Sequence, residues 1–328
     1  MRLWTPIPLA GPDPAGVPLA GGPARFAHAI APEGEVVPAR AMPAEVLRAL
    51  SVPRAAPGGG APAVWGILNV TPDSFSDGGR FDRPEAALAQ AAALARVCDV
   101  IDIGGESTRP GAAEVPEAEE IARTAPVIEA IRSAGITTPI SIDTRKAAVA
   151  EAALAAGAGI VNDVSAGRFD PDLLVVSART GAGLVLMHSV GTPETMQDDP
   201  CYDDVLGEVA AHLAERLEAA RTAGVAADRV LLDPGIGFGK TQAHNIALLR
   251  GLPALHVLGR PLLLGASRKR FIGVIGNAPE AADRAPGSIA VALRAALGGV
   301  QALRVHDAAM TAQALALWRV AGLKEEVT

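Results

Sequence analysis

Two cysteines, Cys98 and Cys201, stand in 328 residues, which excludes a disulfide framework and a cysteine-built metal site. Cys98 is expected in the core, just ahead of an apolar run, and Cys201 in a polar loop. Aromatic residues make up 3% of the chain, too few for the stacking platforms that hold single-stranded nucleic acid. Lysine is nearly absent: only four of the 29 basic residues are lysine. No apolar stretch is long enough for a signal peptide or a membrane span, and Pro6, Pro8, Pro12 and Pro14 break up the N-terminus. A net charge of −7 argues against a nucleic acid or an anionic membrane surface as partner. The expectation is a cytoplasmic protein with neither partner.

What the chain does have is regularity. From Val64 onward, short apolar runs alternate with Ala-rich stretches of helical spacing. The runs are WGILNV, VIDIG, PISID, GIVND, GLVLMH, RVLLD, PLLLGA and ALRVHD. Helices are expected near 84–96, 117–134, 146–156, 171–180, 203–223, 243–250, 269–298 with a break at Pro279 and Pro286, and 307–321. Alternating strand and helix predicts a parallel sheet, and eight such units predict a (β/α)8 TIM barrel. Residues 1–60 are different: rich in Pro, Gly and Ala, with a strand pair expected near 24–38 and a short helix near 43–50. They read as an N-terminal extension over the amino-terminal end of a barrel spanning 61–328.

Nearly every run ends in polar groups: Asn69, Asp102, Asp143, Asn162, His188, Asp233, Ser267 with Lys269, and Arg304 with His306. Barrel chemistry sits at the carboxyl ends of the strands. A polar group buried there for packing alone would cost free energy. GILNVTPDSFSDGGRF (66–81) is longer than a plain βα turn. Its Asn69 offers a hard oxygen to a cation, and Asp73 or Asp77 could add a carboxylate. In IDIGGESTRPGA (101–112), Arg109 can neutralise a phosphate and Thr108 can donate a hydrogen bond; the plainer alternative is a surface pair between Arg109 and Glu106. Asp143, Asn162 and Asp233 together suit the edge of a heterocycle that bears several N–H donors. Asp163 reads as a helix N-cap.

GIGFGKT is not a phosphate loop, because Pro234 occupies the position of the first glycine. Its glycines let the backbone pass close to a flat ligand, with Phe238 as a wall. Arg304 and His306 lie two apart on a strand, so they share a face and can grip one anion. Two of the scarce lysines, Lys240 and Lys269, fall in glycine-flanked strand-end segments, where a compact ammonium and a planar guanidinium are not interchangeable. His188 reads equally as a hydrogen-bonded core imidazole.

From about Val64 to Gly322 the chain resembles the dihydropteroate synthase family. GILNVTPDSFSDGG and IDIGGESTRPGA are similar to its two signature loops, and DPGIGFGK, SRKRFIG and RVHD also match. The resemblance implies a transferase that condenses (7,8-dihydropterin-6-yl)methyl diphosphate with 4-aminobenzoate, with Mg²⁺ and as a homodimer. It implies Asn69 and Asp77 as metal ligands. It implies Asp143, Asn162, Asp233 and Lys269 around the pterin, with Met187 packed on the ring. It implies Arg304, His306 and Asn69 on the diphosphate, Thr108 and Arg109 in the second loop, and Phe75, Phe238 and Ser267 around aminobenzoate. Among these, Asp143, Arg109, Lys269 and Arg304 carry the catalytic roles. Arg270 stands where some members have serine. A pterin-dependent methyltransferase, a non-catalytic pterin-binding paralogue and a phosphosugar barrel enzyme explain fewer of these features.

Overall fold

The computed structural model describes residues 2–9, 16–59, 62–71, 83–107, 112–191 and 195–323. Asp73, Phe75, Asp77, Thr108 and Arg109 lie outside them.

The chain opens with β1 (Thr5–Leu9), β2 (Val17–Pro18), β3 (Arg25–Ile30) and β4 (Val36–Pro38), followed by α1 (Ala44–Ser51). β3 pairs antiparallel with the other three strands. The pairing of β3 with β4 falls within the expected 24–38 stretch; β1 and β2 were not expected there. Their prolines hid them, because proline marks loops more often than strands. Leu19, Phe26, Ala29, Met42 and Leu50 form a small core, against which Val257 and Leu297 of the following domain pack.

Eight parallel strands follow: β5 (Ala63–Asn69), β6 (Val100–Gly104), β7 (Ile140–Asp143), β8 (Ile160–Asp163), β9 (Gly183–Met187), β10 (Val230–Asp233), β11 (Leu263–Leu264) and β12 (Ala302–Val305). Their spatial order runs β10-β9-β8-β7-β6-β5-β12-β11. A parallel bridge between Leu232 and Leu262 joins the two ends and closes the barrel. The helices between them are α2 (Arg83–Leu94), α3 (Glu117–Ser133), α4 (Ala147–Ala156), α5 (Asp172–Thr180), α6 (Val205–Thr222), α7 (Gln242–Gly251), α8 (Arg270–Ile275), α9 (Ala285–Leu297) and α10 (Ala308–Leu323). Asp204 caps α6, accepting from the Gly207 N–H at 3.1 Å. Thr241 and His244 form a capping box on α7, which satisfies N–H groups that the first turn leaves unpaired. The break in 269–298 falls between α8 and α9, with Pro286 in the first turn of α9, where its missing N–H costs nothing.

The period-2 pleat sorts each strand into two faces. Outward residues such as Leu68, Ile101, Ile103, Ile142, Val161, Leu186 and Leu303 join the helices in the main core. Inward residues Ala63, Trp65, Val100, Ile160, Val185, Leu231, Leu263 and Ala302 fill the lower barrel, together with Ala56 from the segment before β5. The extension thus reaches the amino-terminal end of the barrel, and the mouth is left to the carboxyl ends of the strands.

Candidate active site

Above that apolar plug the inward positions turn polar. Asn69 pairs with Gly104, Gly104 with Asp143, and Asp143 with Asn162. Asp233 pairs with Met187 on the other side of the barrel. In-register parallel neighbours share a face, so these side chains form one ring at the mouth. Asp163 has the opposite parity: its Oδ1 accepts from the Ser165 N–H and hydroxyl, both at 2.7 Å, and its Oδ2 from the Gly167 N–H at 2.5 Å. It is a loop cap.

Arg304 is the centre of the ring. It enters from β12 and reaches across β5, with Nε donating to Asp102 Oδ2 at 2.5 Å and Nη2 donating to Asp143 Oδ2 at 2.6 Å. Asp102 also accepts from Asn162 Nδ2 at 3.4 Å. Two carboxylates therefore share one guanidinium. Burial opposes the Arg304 charge, but Asp102 and Asp143 outweigh that effect and hold its pKa above the ordinary value. Burial also pushes the Asp143 carboxyl up to about 7, against the pull of Arg304 and with Asp102 adding to the rise. Asp143 Oδ1 and Asp102 Oδ1 have no hydrogen-bond partner among the described residues. The Asp143 oxygen is an acceptor suited to a ligand N–H.

Asp233 accepts from the Gly235 N–H at 2.7 Å, and burial raises its pKa. Gly235 has φ +68°, and a Cβ there would lie 1.9 Å from the His188 carbonyl oxygen; only glycine permits this turn. Lys269 donates to the Ile236 carbonyl, and its ammonium lies 4.1 Å from the centroid of the Phe238 ring. Burial pulls Lys269 down to about 7, although Asp233 opposes the fall. Two glycines keep the ring open. A Cβ on Gly104 would meet Asn69 Oδ1 at 3.5 Å, and one on Gly265 would meet Asp233 Oδ2 at 3.5 Å and Arg304 Cδ at 3.7 Å. Ser267 Oγ accepts from the His306 N–H at 3.2 Å and sits 3.1 Å from its Nδ1, just beyond the end of β12.

Three further groups support the ring, and of these the lysine count had pointed to Lys240. Lys240 donates to the Gly235 carbonyl at 2.9 Å and the Phe238 carbonyl at 3.0 Å, with His188 Nδ1 at 2.8 Å. Three acceptors match the three N–H groups of an ammonium, and His188 is the core imidazole that its plainer reading anticipated. Burial draws that imidazole down to about 2. Arg268, left-handed at φ +58°, is held by Asp307 through Nε at 3.0 Å and Nη2 at 2.5 Å, which fixes the backbone just before Lys269. Finally, Glu106 pairs with Lys146 at 3.0 Å and with Arg145 at 3.4 Å. Lys146 also holds Glu120 at 2.7 Å and the Val115 carbonyl at 2.6 Å. Val115 N–H in turn donates to Glu106 at 2.9 Å, so the two ends of the stretch 106–115 are tied together. Glu106 has its partners here, whatever Arg109 does. The signal in the sequence was lysine scarcity: Lys146 and Lys240 are among the most buried polar residues.

Among the described residues no three His, Cys, Asp or Glu side chains gather as a metal-binding set, and no helix is long and apolar enough to cross a membrane.

The pterin-binding enzyme family matches the chain over residues 65–306. The dihydropteroate synthase of Synechocystis sp. is 49% identical over 261 residues, spanning 78% of this chain and 90% of that protein. The Escherichia coli K12 dihydropteroate synthase is 45% identical over 255 residues, 77% of this chain and 89% of that one. Among solved structures, Xanthomonas albilineans dihydropteroate synthase with 4-aminobenzoic acid superposes with a TM-score of 0.75 at 49% identity, covering 79% of this chain and 93% of that chain. The same enzyme in complex with 7,8-dihydropteroate gives 0.72 at 46% identity, covering 79% and 93%. The chain belongs to the dihydropteroate synthase family of pterin-binding enzymes.

Proposed function

We propose that this enzyme condenses (7,8-dihydropterin-6-yl)methyl diphosphate with 4-aminobenzoate, releasing 7,8-dihydropteroate and diphosphate in folate biosynthesis. The observation that carries the reading is Arg304: one guanidinium is tied to the carboxylates of the inward ring on one side and stands two residues from His306 on the other. A molecule with a flat N–H-rich ring and an anionic arm can touch both sets at once.

In this reading Asp143, Asn162 and Asp233 receive the ring N–H groups, Lys269 donates to the ring carbonyl, and Met187 packs on the ring face. Arg304, His306 and Asn69 hold the diphosphate, with Thr108 and Arg109 approaching from the second signature segment. Phe238, Ser267 and Phe75 border the aminobenzoate. Negative charge grows on the departing diphosphate, and fixed cations in a buried site stabilise it. The methylene carbon becomes electron-poor as its C–O bond breaks, and the ring delocalises that charge over atoms facing Asp143. The aromatic amine is already neutral at pH 7, so it attacks without a strong base and loses one proton as the C–N bond completes.

A magnesium ion fits the donor chemistry at the mouth. Asn69 Oδ1 is a hard oxygen on the same ring, and Mg²⁺ commonly takes one or two protein ligands with substrate phosphates and water. We assign Asn69 and Asp77 to it. When bound, the ion would supply positive charge to the leaving diphosphate. We further propose a cytoplasmic homodimer. Val274, Ile275, Met310 and Leu317, each more than half exposed, offer apolar surface for it, and sedimentation would read its mass.

The test is incubation of the protein with the pterin diphosphate, 4-aminobenzoate and Mg²⁺, followed by mass detection. Dihydropteroate forming only when both substrates are present supports the assignment; absence of product with folded protein refutes it.

A further inference from the structure

Asp102 lies one pleat step deeper than the ring. It is fully buried, opposite Ser141 in the register, while Asp143 stands opposite Gly104 nearer the mouth. Its Oδ2 takes the Nε edge of Arg304 at 2.5 Å and the Nδ2 of Asn162 at 3.4 Å. Resting on the functional reading above, we propose that Asp102 is a positioning residue: a fixed carboxylate that holds the inner edge of Arg304 so that its remaining donors face the ligand's diphosphate.

Three physical points support this. First, a guanidinium carries five N–H groups in a rigid plane. Asp102 takes Nε–H and Asp143 takes one Nη2–H, which leaves three for a ligand. Second, the two carboxylates are not equivalent. Both have an Oδ1 without a partner among the described residues, but Asp143 is one step nearer the mouth, so a ligand reaches it first and can draw it away from Arg304. Asp102, lower in the barrel and fully buried, stays. Without Asp102 the guanidinium would be tethered only by the group that the ligand competes for, and it would turn toward Asp143. Third, Arg304 starts on β12 and is anchored on β6, with β5 between. Its long side chain therefore lies flat across the barrel, an orientation that one contact near the mouth would not fix. The groups facing Asp102 are Arg304, Asn162 and Asp143, with Ser141 as its register neighbour.

The test is a double-mutant cycle read by calorimetric binding of inorganic diphosphate at fixed Mg²⁺, using the full chain and variants D102N, R304M and D102N/R304M, with melting curves alongside. D102N should weaken diphosphate by on the order of tenfold. R304M should weaken it at least as much, and the double variant should match R304M within about twofold, because Asp102 acts only through Arg304. Losses that multiply in the double variant, or D102N binding like the unaltered protein, overturn the proposal. If D102N shows no cooperative melt, Asp102→Ser, whose shorter neutral side chain withdraws the carboxylate from Arg304 Nε, is read the same way. Failure of both to fold also overturns it, because Asp102 would then chiefly hold the barrel. If the unaltered protein does not bind diphosphate, the functional reading fails and this inference goes with it; a D102N result equal to the unaltered protein removes this inference alone.

Discussion

On the proposed function, stability and chemistry meet in the Arg304 side chain. Removing one partner of a buried ion pair costs about 3–5 kcal/mol, because the others are left uncompensated. Arg304→Met strands Asp102 and Asp143, so it should lower stability by that order and reduce kcat/KM at least a hundredfold; chemical denaturation and steady-state kinetics read the two effects separately. Gly235 gives a sharper steric test. A methyl group there collides with the His188 carbonyl and demands a left-handed backbone. Gly235→Ala should therefore lower the melting temperature by several degrees, corresponding to about 2 kcal/mol or more, and weaken pterin binding, because the Gly235 N–H orients Asp233. At this scale the sequence was readable where a polar residue ended an apolar run, as with Asn69, Asp143 and Asp233. It was not readable for the Asp102–Arg304 pair. Those residues stand 202 positions apart, and nothing local to VIDIG shows which cation its carboxylate meets. The alternation Val100, Asp102, Gly104 did carry the hint that Asp102 faces inward.

Segments rather than single residues decide how the mouth is held. Lys146, at the start of α4, ties Glu106 to Val115 and Glu120, closing the neck of the segment that contains Thr108 and Arg109. Lys146→Met should expose peptides spanning 105–120 to faster hydrogen exchange while β8–β10 keep their protection; uniform loss across the barrel would contradict a local latch. Another joint is the contact between the N-terminal sheet and the barrel. There His256 is buried beside Leu19, its Nε2 3.0 Å from the Gly298 carbonyl. Burial, aided by Arg54, draws its imidazole down to about 3. Because the folded value lies below the unfolded one, the stability it contributes is fully present above about pH 6.5 and is lost as the pH falls toward 3. The stability advantage over His256→Phe should therefore shrink by about 2 kcal/mol between pH 7.5 and pH 5, measured by urea unfolding. The barrel's strands and helices were legible as elements, since both hydrophobic periods are strong there. The sheet of residues 5–38 was only half legible, because proline-rich strands such as TPIPL look like loops.

On the proposed function, the whole molecule makes one cavity serve two chemistries. Closure of β10 onto β11 brings Asp233, from one end of the sheet order, beside Arg304 and Lys269 from the other; an open sheet would leave them apart. That convergence follows from counting eight strands, so it was readable in outline from the sequence, whereas the positive charge that each carboxylate meets was not. The claim most exposed to measurement is that ring and diphosphate are recognised in one shared space. Calorimetric titration with the intact pterin diphosphate, with 6-hydroxymethylpterin and with inorganic diphosphate, each alone and in competition at fixed Mg²⁺, reads it directly. The intact molecule should bind far more tightly than either fragment, and each fragment should compete with it. Intact ligand binding no better than one fragment, with the other fragment unable to displace it, would contradict a single cavity.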